Sequence, residues 1–309
     1  MNNKNTDLNC TIVILSYNVK NVTDICISKA LAAKKYAESI LENEITITVV
    51  DNGSPDNTAA MIRKKYKNVE LVALKENVGA SAGYNAGLRV AQSPFILIIN
   101  SDTYLEEDTV LKSLQYMKSH KKTDVLMVRL VDEHQEFRPY GGHLPTPART
   151  ISWVLGLESI PLIKYLLPRI YCYNREFYSS DGYMEWAPTC YFFMRRSVFD
   201  KTNGHDENIF LYMDDVEWCK RIRDNKFTIS FTPSIQATHL GGESTQKKLQ
   251  SSYLLQRQTN GMMYFHKKHY PRMAPITGIF LLAGLRARAV FYFLLGKPDL
   301  AKAYASVTI

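Results

Sequence analysis

Cysteine is scarce in this chain of 309 residues, and the five that are present form no pattern typical of metal or disulfide chemistry. No two of them stand in a CxxC pair, and their number is odd, which argues against both a metal-binding cluster and a disulfide framework. The first ten residues are polar and lack the apolar stretch of a signal peptide. These features favour a reducing compartment, so we expect a cytoplasmic protein.

Internal repeats and low-complexity runs are also missing from the sequence, as are the Walker phosphate loop and the GxGxxG loop. With 46% hydrophobic residues the chain can bury a full core. Four apolar segments, separated by helical stretches, have the pattern of buried strands: Cys10 to Leu15, Ile45 to Val50, Val69 to Leu74 and Phe95 to Ile99. This alternation predicts an α/β fold with a Rossmann-like, mainly parallel sheet covered by helices on both faces.

The net charge of +8 is concentrated at the C-terminal end. From residue 247 onward there are ten Lys or Arg and a single acid, Asp299, and the apolar residues have helical spacing. Arg286 and Arg288 interrupt the most apolar stretch, and each would cost about 2.5–3.5 kcal/mol at a bilayer centre. We therefore expect a main domain over 1–246 and a helical appendage over 247–309. This basic amphipathic tail would lie on an anionic membrane surface or pack on the core.

Polar side chains follow three of the predicted strands. Ser16 and Asn18 follow the first strand, Asp51 the second, and Asn100, Ser101 and Asp102 the strand that begins at Phe95. Open α/β sheets bind ligands at the carboxyl ends of their strands. A carboxylate such as Asp102 suits Mg²⁺ or Mn²⁺ holding a diphosphate, and Asp51 could accept a base N–H or a ribose hydroxyl. Ordinary turn and helix-capping chemistry explains these residues about equally well.

Glycine and asparagine recur between Asn77 and Gly87, just before a predicted helix. Asn77, Gly79 and Asn85 are the candidates for ligand contact, because such a segment lets the backbone approach a ligand and aims helix N–H groups at an anion. Tight packing of the helix on the sheet is the alternative interpretation.

Two further groups of residues complete the candidate site. Asp214 and Asp215 begin a predicted helix, where acids are common for dipole reasons. Successive helical residues point about 100° apart, so only one of the pair can face a given pocket, where it could act as a general base. His239, in a loop beside two glycines, could supply an imidazole ligand to the ion that Asp102 holds.

The chain resembles the family 2 inverting glycosyltransferases of the GT-A fold, in particular the bacterial branch with rhamnosyltransferases and galactofuranosyltransferases. The motifs that carry the resemblance occur in the family's order over about residues 11–245. They are TIVILSYN, VVDNGSPDNT, NVGASAGYNAGL, INSDTYLEEDTV, WAPTCYFFMRRSVFD, GHDENIFLYMDDVEWCKR and THLGGES.

The resemblance implies roles for the candidate residues. Asp215 would be the catalytic base with Asp214 supporting it, and Asp102 and His239 would hold the divalent metal, Mg²⁺ or Mn²⁺. Asp51 would bind the pyrimidine base of a nucleotide-sugar. The donor site would comprise Ser16, Asn18, Asp51, Asn77, Gly79, Asn85, Asn100 and Ser101. The acceptor side would comprise Trp186, Ala187 and Thr189.

The implied activity is inverting, metal-dependent transfer of a sugar from a nucleotide-sugar, with dTDP-rhamnose favoured over UDP-linked donors. The acceptor would be a hydroxyl of a cell-surface glycan or of a lipid-linked glycan, and the enzyme would sit at the inner face of the cell membrane. Three departures are evident: Asn100 replaces the first acid of the DxD triplet, Asp214 replaces a Glu, and His205 stands where the family often has Phe. A nucleotidyltransferase, which would use a similar sheet edge, and a non-catalytic nucleic-acid-binding protein are the alternatives; we expect no nucleic-acid partner.

Overall fold

A mixed sheet forms the centre of the computed structural model, which describes residues 6–241 and 251–309. Within these residues the sheet has nine strands. In chain order they are β1 (Cys10–Ser16), β2 (Ile45–Asp51), β3 (Glu70–Ala73), β4 (Phe95–Asn100), β5 (Thr103–Leu105), β6 (Val125–Val131), β7 (Gly182–Tyr183), β8 (Tyr191–Arg195) and β9 (Ile229–His239). The spatial order is β3-β2-β1-β4-β8-β6-β9-β5, with β7 paired to β9.

The first four strands run parallel to one another, and β6 is parallel to β9. Strand β8 is antiparallel to both β4 and β6, and β5 is antiparallel to β9. The prediction of a mainly parallel α/β sheet is thus confirmed. Antiparallel pairs are confined to the half of the sheet that contains the later strands.

Helices connect the strands and extend beyond the sheet. They are α1 (Lys20–Leu41), α2 (Thr58–Lys65), α3 (Ala80–Val90), α4 (Thr109–Ser119), α5 (Pro147–Val154), α6 (Pro161–Leu166), α7 (Arg196–Thr202), α8 (Asp214–Asp224), α9 (Ser251–His269), α10 (Ala274–Leu294) and α11 (Pro298–Ser306). The helix predicted to begin at the acidic pair does begin at Asp214.

Both faces of the sheet are covered near β1. A Cβ added at Gly87 of α3 would lie 2.4 Å from Val13 Cγ1, and one at Gly83 would lie 2.7 Å from Leu15 Cδ1. Because side chains alternate along a strand, Ile12 and Ile14 face the other way, and both are fully buried. The two glycines thus permit close packing of helix on sheet, which is the packing alternative for the Gly-rich segment.

One local expectation was wrong, namely the loop position of His239. Strand β9 begins at Ile229 and continues through Pro233 to His239. His239 is therefore a strand residue paired with Thr103, not a loop residue. Helix α5 begins where Thr146 accepts a hydrogen bond from the Arg149 amide and Pro147 occupies the first turn.

The C-terminal helices pack directly on the main domain. The buried carboxylate of Glu217 in α8 lies 2.7 Å from Lys268 Nζ and 3.1 Å from His269 Nε2. A Cβ at Gly261 would lie 2.7 Å from the Tyr212 carbonyl oxygen, so α9 contacts the loop that precedes the acidic pair. The predicted boundary at 246/247 falls outside the described residues, and these contacts show that α9 is joined closely to α8.

Helix α10 is long and apolar enough to cross a membrane by length and composition, with a third of that span buried inside the protein. Its two arginines bind backbone carbonyl groups: Arg286 donates to Ala305 and Val307, and Arg288 donates to Trp153. Exposed apolar side chains lie along its outer side and on the segment around α6: Leu162, Leu166, Ile279, Val290, Phe291, Phe293 and Leu294.

Candidate active site

The carboxyl ends of the parallel strands bring the predicted donor-side residues to one edge. Ser16 pairs in register with Asp51, and Leu15 pairs with Asn100. The Ser101 amide donates to the Leu15 carbonyl at 3.1 Å, which holds the turn after β4 against β1. Residues that lie far apart in the sequence, such as Leu15 and Asn100, therefore share a single edge, as the strand alternation predicts.

Asp51 has the properties of a ligand-facing acid. Its Oδ1 is buried and accepts no hydrogen bond from the described residues. Burial raises the pKa of Asp51, although hydrogen bonds from Ser54 oppose the shift. The neighbouring Asn18 takes a positive φ of 56° and its amide donates to Ser54 Oγ at 2.9 Å. A buried acceptor without a partner costs free energy, which a ligand N–H or hydroxyl would recover.

The Gly-rich loop is bonded mostly to the protein itself. Asn77 Oδ1 accepts from the Gly79 amide at 2.9 Å, and the Ala80 amide donates to the Phe210 carbonyl at 2.8 Å. The Asn52 side chain also binds the loop, because its Nδ2 donates to Asn77 Oδ1 and to the Gly79 carbonyl oxygen. The expectation that this helix N-terminus presents free N–H groups to an anion is therefore not met at Gly79 and Ala80. The expected close approach of backbone is present, but to the protein: Gly79, which has a φ of 90°, packs closely against Phe210.

Asn85 and Ser16 have roles within the fold. The Asn85 amide donates to the His205 carbonyl at 2.8 Å and accepts from the His205 amide at 2.8 Å, with a further bond to Glu207. Ser16 Oγ pairs with Thr23 Oγ1 at 2.6 Å and is buried. Ligand contact by the Asn85 side chain is thus a correction to the sequence interpretation, because its hydrogen-bonding groups are used by the 205–207 loop.

Asp102 and His239 lie together although they are far apart in sequence. Strands β5 and β9 are paired, and Asp102 Oδ1 lies 3.3 Å from His239 Nε2, both residues being buried. Burial opposes protonation of His239, but Cys190 and Asp102 raise its pKa well above the usual value. Helix α4 begins at Thr109 with Asp108 as its first flanking residue, so Asp102 does not cap it.

The chemistry of Asp102 and His239 fits a divalent ion. Two donors at about 2.1 Å from one octahedral ion, at right angles, are about 3.0 Å apart, close to the separation seen. Within residues 6–241 and 251–309, however, no group of three His, Cys, Asp or Glu side chains is arranged for a metal. These two residues would supply part of a coordination shell, and a bound diphosphate would have to supply the rest.

The acidic pair begins helix α8 after two residues with positive φ, Tyr212 at 66° and Met213 at 68°. Asp214 is turned inward, and its Oδ2 lies 3.4 Å from His205 Nδ1. Asp215 accepts a hydrogen bond from the Val216 amide at 2.8 Å. Burial raises the pKa of both carboxyls, and for Asp215 the charge of Asp214 raises it further. A carboxylate with a raised pKa is a competent general base near neutral pH.

Two of the predicted acceptor-side residues, Trp186 and Ala187, contact side chains whose pKa the charge of Asp215 raises. Trp186 packs edge-on against Tyr171, with ring centroids 5.7 Å apart, and the Ala187 amide lies 3.5 Å from Cys219 Sγ. Burial and the charge of Asp215 raise the pKa of Tyr171 to about 12, against a hydrogen bond from Gln258 of α9. Burial raises the pKa of Cys219, and the charge of Asp215 raises it further. The acidic pair and the acceptor-side segment therefore share one neighbourhood.

Tyr84 connects the two groups of candidate residues. Its hydroxyl donates to Asn100 Oδ1, and its pKa is raised well above the usual value, first by burial and then by the charges of Asp214 and Asp102. A hydrogen bond with Thr189 opposes that rise. The triplet after β4, the acidic pair and the acceptor-side Thr189 therefore converge on one buried tyrosine.

Three residues that matter in this geometry were missed by sequence reasoning. Tyr84 and Asn52 lie within the quoted motifs, but a buried tyrosine or asparagine gives no signal of its own. Tyr171 falls in an aromatic stretch without a clear period, so its contact with the acceptor side could not be anticipated.

Two cavities are evident in the part of the chain that the structure describes. A polar cleft of about 490 Å³ lies beside α8 and α9, lined by Arg89, His205, Asp206, Arg221 and Lys268 among others. A more apolar groove of about 520 Å³ lies between α9 and α10. Neither is lined by Asp102 or Asp215. The observation that relates the two groups of acids is the effect of the charges of Asp102 and Asp214 on the pKa of Tyr84.

Sequence comparison identifies the family of the chain. The model of glycosyl transferase family 2 matches residues 11–202. The chain belongs to this family of glycosyltransferases, which confirms the predicted enzyme class.

Individual relatives are distant. The chain is 25% identical over 153 residues to the rhamnosyltransferase WbbL of Escherichia coli K12, covering 49% of this chain and 54% of that protein. It is 27% identical over 128 residues to the poly-β-1,6-N-acetyl-D-glucosamine synthase of Staphylococcus aureus MSSA476, covering 39% of this chain and 29% of the relative. The matches thus span about half, or less, of these relatives.

Solved structures share the fold. Staphylococcus aureus TarS 1-349 superposes with a TM-score of 0.53 at 16% identity, over 96% of this chain and 90% of that one. The mannosyltransferase PcManGT from Pyrobaculum calidifontis, in complex with GDP-Man and Mn²⁺, gives a TM-score of 0.52 at 14% identity, over 97% and 76% of the two chains. At these identities the likeness supports the fold, which is the GT-A arrangement expected from the sequence.

Proposed function

We propose that the protein is an inverting glycosyltransferase that moves a sugar from a nucleotide-sugar to a hydroxyl of a glycan acceptor. The observation that carries the proposal is the position of Tyr84, which donates a hydrogen bond to Asn100 of the triplet and whose pKa is raised by the charges of Asp102 and Asp214. Asp215 follows Asp214 in α8, so the donor-side acid and the acidic pair lie near one residue, as a displacement between donor and acceptor requires.

The reaction is a single in-line displacement at the anomeric carbon. Asp215 accepts the proton of the acceptor hydroxyl as its oxygen forms the new bond to that carbon. The bond from the anomeric carbon to the diphosphate breaks on the opposite face, and the nucleoside diphosphate leaves with the electron pair. Configuration therefore inverts, and no covalent bond to the enzyme forms. The raised pKa of Asp215 supports its assignment as the base.

Asp51 is the proposed contact for the pyrimidine base or ribose, because its buried Oδ1 is without a partner in the described residues. Asn18, Asn77, Asn100 and Ser101 lie along the same edge and complete the proposed donor side; Ser16, Gly79 and Asn85 shape it. The favoured donor is dTDP-rhamnose, supported by the name of the WbbL relative and limited by its 25% identity. UDP-linked hexoses and galactofuranose follow.

Asp102 and His239 are the proposed ligands of Mg²⁺ or Mn²⁺. Support comes from their 3.3 Å approach and from the Mn²⁺ named for the structurally similar mannosyltransferase. A bound divalent ion would neutralise charge on the leaving diphosphate.

The proposed acceptor side consists of Trp186, Ala187 and Thr189, and the acceptor is a cell-surface or lipid-linked glycan. Exposed apolar residues of α10, such as Phe293 and Leu294, support a peripheral position at the inner face of the cell membrane. Co-sedimentation with vesicles containing anionic lipid tests this position: a protein that stays in the supernatant at low salt would contradict it.

A thermal-shift panel of nucleotide-sugars with and without Mn²⁺ is the first experiment. A ligand that binds the folded protein raises its melting temperature, and we expect dTDP-rhamnose with Mn²⁺ to give the largest shift. Product analysis then separates the classes of enzyme: release of dTDP indicates sugar transfer, whereas release of pyrophosphate from dTTP and a sugar phosphate would indicate a nucleotidyltransferase.

A further inference from the structure

His205 is a fully buried histidine that the proposed chemistry does not yet use. Neither of its ring nitrogens completes a hydrogen bond with a described residue, yet Nδ1 lies 3.4 Å from Asp214 Oδ2. Buried polar groups are normally paired, and one that is not requires a reason. Hydrogen bonds at active sites are often long without substrate and tighten in the complex.

The position of this imidazole is fixed from several directions. Asn85 bonds both the backbone amide and the carbonyl of His205 at 2.8 Å. The ring stacks on Tyr84, with centroids 5.1 Å apart and planes at 22°, and packs against Trp218 at 4.5 Å. The Tyr84 hydroxyl in turn donates to Asn100. An uninterrupted set of contacts thus runs from Asn100 through Tyr84 and His205 to Asp214.

We propose that His205 is a positioning residue that donates its Nδ1–H to Asp214 and thereby keeps Asp214 ionised, leaving Asp215 to take the acceptor's proton. The proposal rests on the proposed function, since it assigns different tasks to the two acids of that site. A hydrogen bond to the charged form of a carboxyl favours that form. The negative charge retained on Asp214 then makes Asp215 the stronger base.

The electrostatic surroundings support a neutral imidazole donor. Burial lowers the pKa of His205 to about 3, and the charge of Arg221 adds to the effect, whereas the charge of Glu217 and a backbone interaction with Asp214 oppose it. The charge of Glu217 raises the pKa of Asp214, and the charge of Asp215 raises the pKa of Tyr171 and of Cys219. A ring that stays neutral through the working pH range can serve as a fixed donor, because its proton is not lost or gained during turnover.

Two substitutions separate hydrogen bonding from packing. His205→Phe keeps a stacked ring and removes the donor, whereas His205→Asn keeps a donor near the Nδ1 position and removes the ring. We expect His205→Phe to lower kcat about tenfold or more, as loss of a hydrogen bond to a charged group implies, with the KM for dTDP-rhamnose little changed. The acidic limb of its kcat–pH profile should move to lower pH. Without the hydrogen bond from His205, Asp214 is more readily protonated, and the loss of its negative charge makes Asp215 a weaker base.

The Asn variant should keep the wild-type pH profile even where its melting temperature falls. Turnover is followed as dTDP release from dTDP-rhamnose, with water or a soluble alkyl glycoside as acceptor, and both melting temperatures are recorded. If His205 only packs, the Phe variant will keep the wild-type kcat and pH profile, and the proposal is overturned.

Nitrogen-15 NMR of the ¹⁵N-histidine-labelled wild-type protein tests the proposal without turnover. We expect His205 to remain neutral between about pH 5 and 9 as the Nδ1–H tautomer; the Nε2–H tautomer or a titrating ring would contradict the assignment. If no donor is turned over but the Nδ1–H tautomer is found, the proposed function fails while the contact with Asp214 stands.

Discussion

The two sides of the candidate active site are stabilised in different ways. On the donor side, parallel strands deliver Asp51 and the Asn100–Asp102 triplet to one edge through local chain order. On the catalytic side, the acidic pair follows Tyr212 and Met213, both at positive φ, and helix α9 from the far end of the chain packs on them. The positions of the donor-side residues are thus set by the sheet, whereas the positions of the acidic pair depend on contacts with a helix later in the chain.

The strained backbone at Tyr212 and Met213, and the contacts that hold it, illustrate this difference. Non-glycine residues in the left-handed region cost of the order of 1–3 kcal/mol each and persist only when surrounding structure holds them. Contacts of α9 with Tyr212 and Met213, and the ion pairs of Glu217 with Lys268 and Arg221, provide such support. Helix α9 is therefore part of the structure that supports the acidic pair.

The largest expected effect comes from removing the base. Asp215→Asn should lower kcat by about 10³-fold, within the range for loss of a general base, while the thermal shift with dTDP-rhamnose and Mn²⁺ is retained. The measurement is dTDP release in parallel with the melting curves. Near-normal turnover would require another base.

The same variant should gain stability at alkaline pH. The raised pKa of Asp215 means that the folded state favours the protonated carboxyl, so its contribution to stability is present below the unfolded pKa and is lost as pH rises through the folded pKa. Asp215→Asn removes that loss. We expect its melting temperature to exceed that of the wild type by more at pH 8.5 than at pH 5, and an equal difference at both pH values would contradict the shift.

On the donor side, Asp102→Ala should lower kcat/KM by about 10²–10³-fold, comparable to loss of one electrostatic stabiliser of a developing charge. The physical reason is the loss of a proposed metal ligand beside the diphosphate. The melting-temperature increase that Mn²⁺ gives with dTDP-rhamnose should disappear. An unchanged metal requirement would exclude Asp102 as a ligand.

A substitution at Gly261 tests whether the position of the acidic pair depends on helix α9. A Cβ there would lie 2.7 Å from the Tyr212 carbonyl oxygen and 2.9 Å from Met213 Cβ. Gly261→Ala should displace the acidic pair and lower kcat by about 10²-fold, as small misplacements of catalytic groups do. Gly182→Ala is the matched control, because nothing lies within 4 Å of its Cβ position. Equal activity of the two variants would show that the loop tolerates α9 moving away.

Sequence reasoning predicted the strands and their ends at the sheet edge well, because strand ends and turn residues are local signals. The parallel strands, the position of Asp102 and the start of α8 at Asp214 were all expected, and the family model confirmed the class. The pairing of β9 with β5, which brings His239 to Asp102, was missed. Pro233 lies inside β9, and a proline within an apolar run argues against a continuous strand. The roles of Asn85 and Tyr84 were hidden because their partners lie up to 130 residues away, where no local pattern records them.

The smallest effects separate fold-supporting from ligand-facing residues on the donor side. Asn85→Ala should lower the free energy of unfolding by about 2 kcal/mol, because it leaves the backbone amide and carbonyl of His205 unpaired. Asp51→Asn should leave stability nearly unchanged and weaken nucleotide binding instead. Urea denaturation and nucleotide titration measure the two effects. The reverse pattern would show that the two residues have exchanged roles.

The most direct test is a crystal structure of the Asp215→Asn variant with dTDP-rhamnose and Mn²⁺. We predict Mn²⁺ in contact with Asp102 and His239, and the side chain at position 215 on the face of the anomeric carbon opposite the diphosphate. A donor bound at the sheet edge with position 215 turned onto a different surface would contradict the account.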